Sequence, residues 1–532
     1  MDKSYKSHSK TIKSLENKAK SGSLLSMFQL YENYRTGKYV EEIDQEKARK
    51  FESMISEFLP KERLIVNSVS LYNFRRLKDF EINLHDKLTV IIGDNGSGKT
   101  SIVEALAKSF SWFNKSLERG TQGRPLTASD VNVSAYDFAE VTAHFSLGTN
   151  TKFYNTLVKL KDGATLEKSS EVYDLRLLGT IYKCFADLDN LNYPLLAYYS
   201  VERSDFSLQQ SYSEKAAEDS SISRYSAIDD ASGKGKLEDF SILYIELANL
   251  AEGESNTEAR KLRDKIDTLQ SALEKAFGGE ELPKDNKAVI ELDAMKLELE
   301  KLRSNTTSKY REQLDLVNAV IESVVPEVTD LKVDRSSGKV RLMVNNFGNT
   351  INITQLSQGQ KTLVALVGDI ARRLVTLNPN SSNPLDSHGI VIIDEIELHL
   401  HPRWQQEVVP SLQKAFRNLQ LIVTTHSPQV LNHIKNECAF VYRLVSESDG
   451  ISSEIYGDTY GHNTDLIYEQ NMGVSSRPQE VQYKIKQIYS LIQSKRLLEA
   501  REAIDSLREL IGEDSALIKA STLLTRMEMI GK

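Results

Sequence analysis

The sequence predicts an α/β fold in which helices cover a parallel or mixed β-sheet. Two regions of the sequence indicate this fold. In the first region, an apolar strand pattern at 88–92 is followed by the glycine-rich segment GDNGSGKT and then by a helix pattern at 101–107. In the second region, a helix pattern at 361–377 is followed by apolar strands at 390–393 and 421–424. Strands that alternate with helices in this way are typical of parallel sheets.

Length and composition limit the kinds of protein that this chain can be. At 532 residues it exceeds one typical hydrophobic core, so we expect more than one structural unit. No run approaches the roughly 20 apolar residues that a membrane helix needs, and the polar N-terminus lacks the apolar core of a secretory signal. With only two cysteines, Cys184 and Cys438, a disulfide framework is excluded. We therefore expect a cytoplasmic protein with no membrane partner.

The glycine-rich segment at 93–100 matches the phosphate-binding loop of P-loop proteins and lies in the required strand–loop–helix context. Its glycines allow successive backbone N–H groups to turn toward phosphates, and the following helix start adds a favourable dipole. We expect Lys99 to reach the β- and γ-phosphates of ATP and Thr100 to offer its hydroxyl to Mg²⁺. The predicted nucleotide-binding residues of this loop are Asn95, Gly96, Ser97, Gly98, Lys99, Thr100 and Ser101.

An acidic pair, Asp394 and Glu395, directly follows the apolar strand at 390–393. Asp394 is predicted to hold the water shell of Mg²⁺. Glu395 is predicted to act as the general base that polarises the attacking water, because phosphoryl transfer needs a positioned nucleophile. His399 and His401 lie close by, but zinc requires three or four ligands and no further ligand cluster is visible.

Apolar residues recur with heptad spacing on both sides of the turn signal at 278–283. The first series is Leu262, Ile266, Leu269 and Leu273, and the second is Leu292, Met295, Leu299 and Leu302. This spacing predicts a short antiparallel coiled coil, and a plain helical-bundle subdomain fits the same pattern equally well.

The segment LSQGQK at 356–361 is similar to the signature of ABC-type ATPases. The order of P-loop, helical insertion, signature, acidic pair and histidine spans roughly 64–440. It resembles the SMC and double-strand-break-repair ATPases, and most of all their RecF- and OLD-like branch with short arms. Further segments resemble the PtuA family, the ATPases of Septu anti-phage systems, in the form found beside retrons. These segments are LYNFR (71–75), PLLAYYSVER (194–203), DEIELHLHP (394–402) and RPQEV (477–481).

The ABC-type resemblance implies roles for further residues. Ser357 and Gly359 of one subunit, with Gln360, are implied to cap the γ-phosphate held by another subunit, so that ATP drives formation of a sandwich dimer or a higher oligomer. His426 is implied to contact the γ-phosphate from its own subunit as a catalytic residue. The segment at 397–402 corresponds to the D-loop at the dimer interface.

Two parts of the expected nucleotide site have no clear motif. The glutamine of the Q-loop lacks an evident counterpart; Glu202 facing Mg²⁺ and Arg203 facing a phosphate or the partner subunit are the candidates. Arg75, within Tyr-Asn-Phe-Arg at 72–75, is predicted to stack or pair beside the adenine.

The resemblance and the patterns together divide the chain into six expected segments. They are a basic flexible tail (1–22), a helical repeat-like region (23–61), an ATPase N-lobe with the P-loop (62–205), a loop with a helical or coiled-coil insertion (206–325), an ATPase C-lobe with signature, acidic pair and histidine loop (326–458), and a C-terminal helical region (459–532). Because lysines dominate the first 20 residues, contact with RNA or DNA is the alternative to a solvated tail.

The PtuA resemblance implies an oligomeric ATPase that restrains an HNH-nuclease partner of the PtuB kind and releases it on nucleic acid after phage attack. In the retron form, a reverse transcriptase with its RNA–DNA product is implied as a further brake. Two alternatives stay open. The first is a recombination or repair ATPase without a toxic partner. The second is a self-contained OLD-type nuclease, which needs Toprim carboxylates after His426 that the sequence does not show.

Overall fold

The computed structural model describes two compact units of the chain, Met1–Tyr460 and Gly461–Lys532. Among the described helices, none has the length and apolar character that crossing a membrane requires. The described residues are 2–40, 42–118, 122–204, 224–228, 237–251, 262, 265–266, 269, 287–335, 339–447, 450–457, 459–467 and 477–530.

The strands among the described residues all belong to the first unit. They are β1 (Leu64–Phe74), β2 (Leu77–Asn83), β3 (Leu88–Gly93), β4 (Phe138–Leu147), β5 (Thr151–Leu160), β6 (Leu195–Tyr199), β7 (Val328–Asp334), β8 (Arg341–Asn346), β9 (Asn349–Asn352), β10 (Gly389–Ile393), β11 (Leu419–Thr425), β12 (Phe440–Glu447) and β13 (Gly450–Ile455). The helices of this unit are α1 (Asp2–Lys20), α2 (Leu24–Thr36), α3 (Gln45–Phe58), α4 (Lys99–Leu117), α5 (Tyr173–Cys184), α6 (Leu237–Ala251), α7 (Lys287–Val324), α8 (Gln358–Leu377), α9 (Pro402–Ala415) and α10 (Pro428–Leu431).

A six-stranded sheet with the order β13-β12-β3-β11-β10-β6 forms the centre of the first unit. Five strands are parallel, and only the edge strand β13 pairs in the antiparallel sense. β6, β10 and β11 are buried at every position, as expected for parallel strands covered on both faces. The predicted α/β fold with a mixed sheet is confirmed. Its parallel strands bring the ends of β3, β6, β10 and β11 to one edge.

A second, antiparallel sheet with the order β2-β1-β4-β5 packs near the first. The buried side chain of Gln420, on β11, accepts a hydrogen bond from the backbone N–H of Val66 (2.9 Å) and donates one to its carbonyl oxygen (2.8 Å). An amide buried in this way is stable only when its donor and acceptor are satisfied. Gln420 therefore fixes β1 against the start of β11. β7, β8 and β9 form a third, small antiparallel sheet.

The N-terminal residues differ from the prediction. Residues 1–22 were expected to form a flexible tail, but most of them form helix α1. Ala19 is buried, and the Tyr34 hydroxyl on α2 donates to a carboxylate oxygen of Glu16 at 3.1 Å. The lysines dominated the sequence pattern, although the less polar positions between them allow α1 to pack on α2.

The described part of the insertion contains α6 and the 38-residue helix α7. Ile266 and Leu292 form a small buried cluster, and Leu262, Leu269 and Met295 pack against it. Heptad positions from both predicted arms therefore meet. The predicted turn at 278–283 and residues 205–223 lie outside the described residues, so the coiled coil itself stays a prediction.

The second unit is a small helical unit with its own core. Its helices are α11 (Thr464–Leu466), α12 (Gln479–Gln493), α13 (Leu497–Ile511) and α14 (Ser515–Ile530). Ile492, Ile504 and Leu507 are almost completely buried in this core. Leu498 and Leu510, on the same helix as Leu507, are 82% and 62% exposed.

We expect Leu507→Ala to destabilise the second unit by about 2–5 kcal/mol, because truncating a buried leucine removes apolar contacts and leaves a cavity. Hydrogen–deuterium exchange of peptides within 479–530 measures the effect, and exchange should accelerate by at least about tenfold. Leu498→Ala is the matched control on the same helix and should leave exchange unchanged. Equal acceleration in both variants would contradict the packing of α13.

Candidate nucleotide-binding site

The glycine-rich segment forms a tight loop between β3 and α4. Gly96 (φ 78°) and Gly98 (φ 95°) have left-handed backbones that favour glycine. A Cβ atom on Gly98 would also lie 2.9 Å from the Ile451 side chain. Because α4 starts after Gly98 with no side-chain cap, its first N–H groups are available to an anion.

Lys99 is held inside this loop. Its Nζ donates to the carbonyl oxygens of Gly93 (2.8 Å) and Asp94 (3.0 Å), and only 5% of the residue is exposed. Burial lowers the pKa of Lys99, while Glu395 and Asp394 partly oppose that shift. The ammonium group thus lies against the backbone of the phosphate-binding loop, where a bound phosphate would compensate for its loss of hydration.

Asp394, at the end of β10, is fully buried and joins three elements. Its carboxylate accepts from the Thr100 hydroxyl (2.9 Å) at the start of α4 and from the Thr424 hydroxyl (2.5 Å) on β11. Its backbone N–H donates to the carbonyl oxygen of Tyr199 (2.8 Å), the last residue of β6. Hydroxyl and carboxylate oxygens are the ligands that Mg²⁺ prefers. The two predicted metal residues, Thr100 and Asp394, therefore lie together.

Glu395 and His426 lie side by side at the same sheet edge. Glu395 has a left-handed backbone (φ 48°), which its N–H stabilises by donating to the Thr424 hydroxyl oxygen at 2.8 Å. Its carboxylate lies 3.8 Å from Nε2 of His426, and both side chains are about one-third exposed. The predicted base and the predicted histidine are thus adjacent and accessible from solvent.

Sequence reasoning missed the part that Glu397 has in this arrangement. A carboxylate oxygen of Glu397 accepts from the backbone N–H of His426. Burial raises the pKa of Glu397, and its second carboxylate oxygen is buried without a hydrogen-bond partner. Glu397 therefore ties the loop after β10 to the loop after β11. No sequence signal beyond its closeness to the acidic pair could have indicated this contact.

Arg203 has a different environment from the one expected. The sequence suggested that it faces a phosphate or a partner subunit, but it is completely buried. Its guanidinium group donates to the carbonyl oxygens of Ser200, Asp394 and Glu395. Burial lowers the pKa of Arg203 to about 10, against the opposing effect of the nearby carboxylates. Arg203 thus stabilises the backbone of Asp394 and Glu395 through hydrogen bonds. Its neighbour Glu202 is exposed.

Arg75, which was predicted to lie beside the adenine, forms ion pairs within its own subunit. Its guanidinium pairs with the carboxylates of Asp130 (Nε to oxygen, 3.1 Å) and Glu104, so it is already neutralised within the subunit. The adjacent Arg76 is exposed, and it donates to the carbonyl oxygen of Gly96 in the phosphate-binding loop at 2.8 Å. The structure thus places Arg76, not Arg75, against the phosphate-binding loop, and the position of the adenine stays a prediction.

The signature residues lie at the start of α8. Ser357 is exposed and caps this 20-residue helix, so it lies at the positive end of the helix dipole. Gln360 is almost completely buried, and its side chain bonds Ser357, Asn346 and the carbonyl oxygen of Pro326. In this structure Gln360 takes part in the capping box of α8, and its contact with a nucleotide stays a prediction.

Gly359 packs directly against the D-loop segment of its own subunit. A Cβ atom there would lie 2.7 Å from the carbonyl oxygen of His399, which has a left-handed backbone (φ 62°), and 3.1 Å from the Trp404 ring. His401 caps α9 by accepting from the N–H of Arg403 at 3.3 Å. Close packing against His399 and Trp404 thus explains why a glycine is needed at position 359, apart from any contact with a nucleotide.

Fold and site together define a P-loop ATPase. Residues 65–431 match the family described as AAA ATPase domain. Because this match covers more than half of the chain, the chain belongs to that family, and within it to the PtuA-like ATPases of the ABC/SMC type. The predicted family and the predicted ATPase class are confirmed.

Several known proteins are similar to this chain. The retron Vc95 probable ATPase of Vibrio cholerae serotype O1 biovar El Tor is 32% identical over 457 residues, which cover 83% of this chain and 84% of that protein. The Septu protein PtuA of Bacillus mycoides (strain KBAB4) is 34% identical over 127 residues, or 24% of this chain and 17% of that protein. Among solved structures, the Smc head domain of Pyrococcus furiosus with an extended coiled coil, bound to the C-terminal domain of ScpA, gives a TM-score of 0.42. It shows 14% identity over 74% of this chain and 96% of that chain.

We expect Arg203→Gln to lower kcat for ATP hydrolysis by about 100-fold, because the backbone of Asp394 and Glu395 loses its donors and the catalytic groups shift. The affinity for ATP should change by less than about threefold, since the P-loop contacts remain. Steady-state kinetics and equilibrium ATP binding separate the two effects. Arg203→Lys, which keeps the charge and one donor group, should show an intermediate kcat. Equal losses of binding and kcat in folded protein would contradict a positioning role.

Proposed function

We propose that the chain hydrolyses ATP with Mg²⁺ at an interface between two copies. Segments 62–205 and 326–458 would form the ATPase head, and 206–325 would form its arm. The observation that carries the proposal is the convergence of the P-loop, Asp394, Glu395 and His426 at one sheet edge, while Ser357 is exposed elsewhere on the helix α8.

The residues of the chain divide the work at this site. Lys99 and the N–H groups at the start of α4 would bind the phosphates, and Thr100 and Asp394 would hold Mg²⁺. When bound, Mg²⁺ neutralises charge on the phosphates and orients them. Glu395 would accept the proton of the attacking water, because its carboxylate is accessible and its backbone is fixed. His426, 3.8 Å away, would orient that carboxylate and contact the phosphate.

The exposed signature supports a contact between subunits. Ser357 lies exposed at the N-terminal, positive end of the α8 dipole, which suits the γ-phosphate held by a second copy. The close packing of Gly359 against His399 joins this surface to the loop that follows Glu395. Binding of a second copy at the signature is thus linked, within one subunit, to the position of the base.

We also propose that the chain is the ATPase subunit of an anti-phage defence system and controls a partner HNH nuclease. A reverse transcriptase with its RNA–DNA product would act as an additional brake. The support is the similarity to the retron Vc95 probable ATPase over more than four-fifths of both chains, together with the shorter similarity to the Septu protein PtuA.

We expect Glu395→Gln to bind ATP normally but to hydrolyse it about 10²–10⁴-fold more slowly, because the amide cannot accept the proton of water. The variant should accumulate as an ATP-bound dimer, which size-exclusion chromatography with light scattering detects. Adding Ser357→Arg to Glu395→Gln should abolish the dimer without loss of ATP binding, whereas Lys99→Ala should abolish both. Normal turnover of Glu395→Gln would remove Glu395 as the base.

The purified chain alone should not cleave DNA or RNA. Co-expression with the HNH nuclease encoded by a neighbouring gene should give a stable complex, and its nuclease activity should change when ATP is added. The same complex with Lys99→Ala should not respond to ATP. Metal-dependent cleavage by the chain alone, surviving further purification, would favour a self-contained nuclease. A neighbourhood with no HNH gene would contradict the proposed partner.

A further inference from the structure

A cavity of about 410 Å³ lies at the opposite edge of the central sheet from the phosphate-binding loop. Leu88 and Leu419, the first residues of β3 and β11, form part of its wall. β3 ends at Gly93 in the P-loop, so the two sites lie about 17 Å apart along the strand. The cavity is therefore separate from the nucleotide-binding site, although its volume is typical of small-ligand sites.

Cations from three different elements converge on this cavity. Lys87 precedes β3, Arg417 follows α9, and His433 and Lys435 follow α10. Among the described residues that line the cavity, none is acidic. Within the described part of the chain, neither Lys87, Arg417 nor Lys435 forms an ion pair, although Lys435 also lies 5.7 Å from the Tyr460 ring. The positive charge is thus not neutralised by the subunit itself.

The position of α9 explains only part of this charge. A cation at the C-terminal end of a helix complements its dipole, which accounts for Arg417 and for the nearby Lys414. It does not account for Lys87 or Lys435, which lie on other segments. Cations that converge on an apolar-walled cavity without carboxylates suit a ligand with negative charge that is compact and strongly hydrogen-bonding.

We propose that this cavity, defined here as the basic pocket, binds the phosphate of a phosphate ester. Lys87, Arg417 and Lys435 supply the charge, and Gln413 and His433 supply further polar groups. The same chemistry is present in the phosphodiester backbone of a nucleic acid and in a free phosphate compound. The proposal does not depend on the dimer or on the nuclease partner.

Two elements that line the basic pocket, α9 and β11, also adjoin the residues of the proposed catalytic site. α9 begins just after the segment with Glu395 and His399, and β11 runs from Leu419 to the threonines that precede His426. A ligand in the basic pocket would therefore contact the far ends of the elements that position the acidic pair.

The test measures binding to two probes in the absence of Mg²⁺. One probe is a fluorescein-labelled single-stranded DNA of 20 nucleotides, followed by anisotropy across a salt series. The other is inorganic pyrophosphate, followed by calorimetry in the Lys99→Ala protein, where the P-loop no longer competes. If three cations contact the strand, the logarithm of the DNA-binding constant should fall with the logarithm of salt concentration with a slope of about −2.

The key variant is Lys87→Glu/Arg417→Glu, and its matched control is Lys414→Glu/Lys50→Glu. Both change the net charge equally, and the control residues are exposed outside the basic pocket. The pocket variant should weaken binding of at least one probe by about tenfold or more and, for DNA, should reduce the salt slope by about 1.4. The control should bind within about twofold of the parent protein.

The two probes distinguish the source of the phosphate. Pocket-dependent binding of DNA alone identifies a nucleic-acid backbone, and pocket-dependent binding of pyrophosphate identifies a free phosphate ligand. Either result supports the basic pocket. Absence of binding to both probes would overturn the proposal. Equal weakening by the pocket variant and its control would also overturn it, because simple charge attraction would then explain the binding.

Discussion

The hydrogen bonds of the buried Asp394 carboxylate are the interaction on which the rest of the site depends. One carboxylate joins the start of α4, through Thr100, to β11, through Thr424, while its backbone N–H bonds the end of β6. A buried carboxylate is stable only when donors surround it. Satisfying Asp394 therefore brings the P-loop, the acidic pair and the loop that contains His426 to one edge of the sheet.

A second constraint follows from the backbone of Glu395. Its left-handed conformation is unfavourable for a non-glycine residue and persists only where the surroundings fix it. Arg203 and Thr424 provide that restraint by bonding the carbonyl oxygen and the N–H of Glu395. Burying an arginine is costly unless its donors are satisfied. Arg203 bonds three carbonyl oxygens through its two terminal nitrogens, which offsets part of that cost, while its Nε is buried without a hydrogen-bond partner among the described residues. The backbone of Glu395 is thereby held in place.

The sequence predicted those features that depend on local spacing. The strand before the P-loop, the loop itself, the acidic pair and the sheet class follow from residues close together in the chain. Hydrogen bonds to partners distant in sequence were not accessible. Arg203 was expected to face a phosphate or the partner subunit, Arg75 an adenine, and Gln360 a nucleotide. Each of these side chains instead bonds groups that only the folded chain brings near. Periodicity alone also did not predict helix α1, which has few apolar residues. It did not predict strands β9, β12 and β13 either.

The signature helix is connected to this arrangement in two places. At its N-terminal end, Gly359 packs against His399. Further along α8, Asp369 accepts from the hydroxyl of Tyr199 at 2.9 Å, and the carbonyl oxygen of Tyr199 accepts from Asp394. Burial alone would raise the pKa of Asp369, but Arg373 and Arg372 hold it at about 2, so the carboxylate stays ionised. A displacement of α8 caused by a contact at Ser357 would therefore act on both ends of the segment from Asp394 to His399. Because protein interiors are close-packed and have low compressibility, the exposed signature and the buried acidic pair are joined by a continuous series of packing contacts and hydrogen bonds.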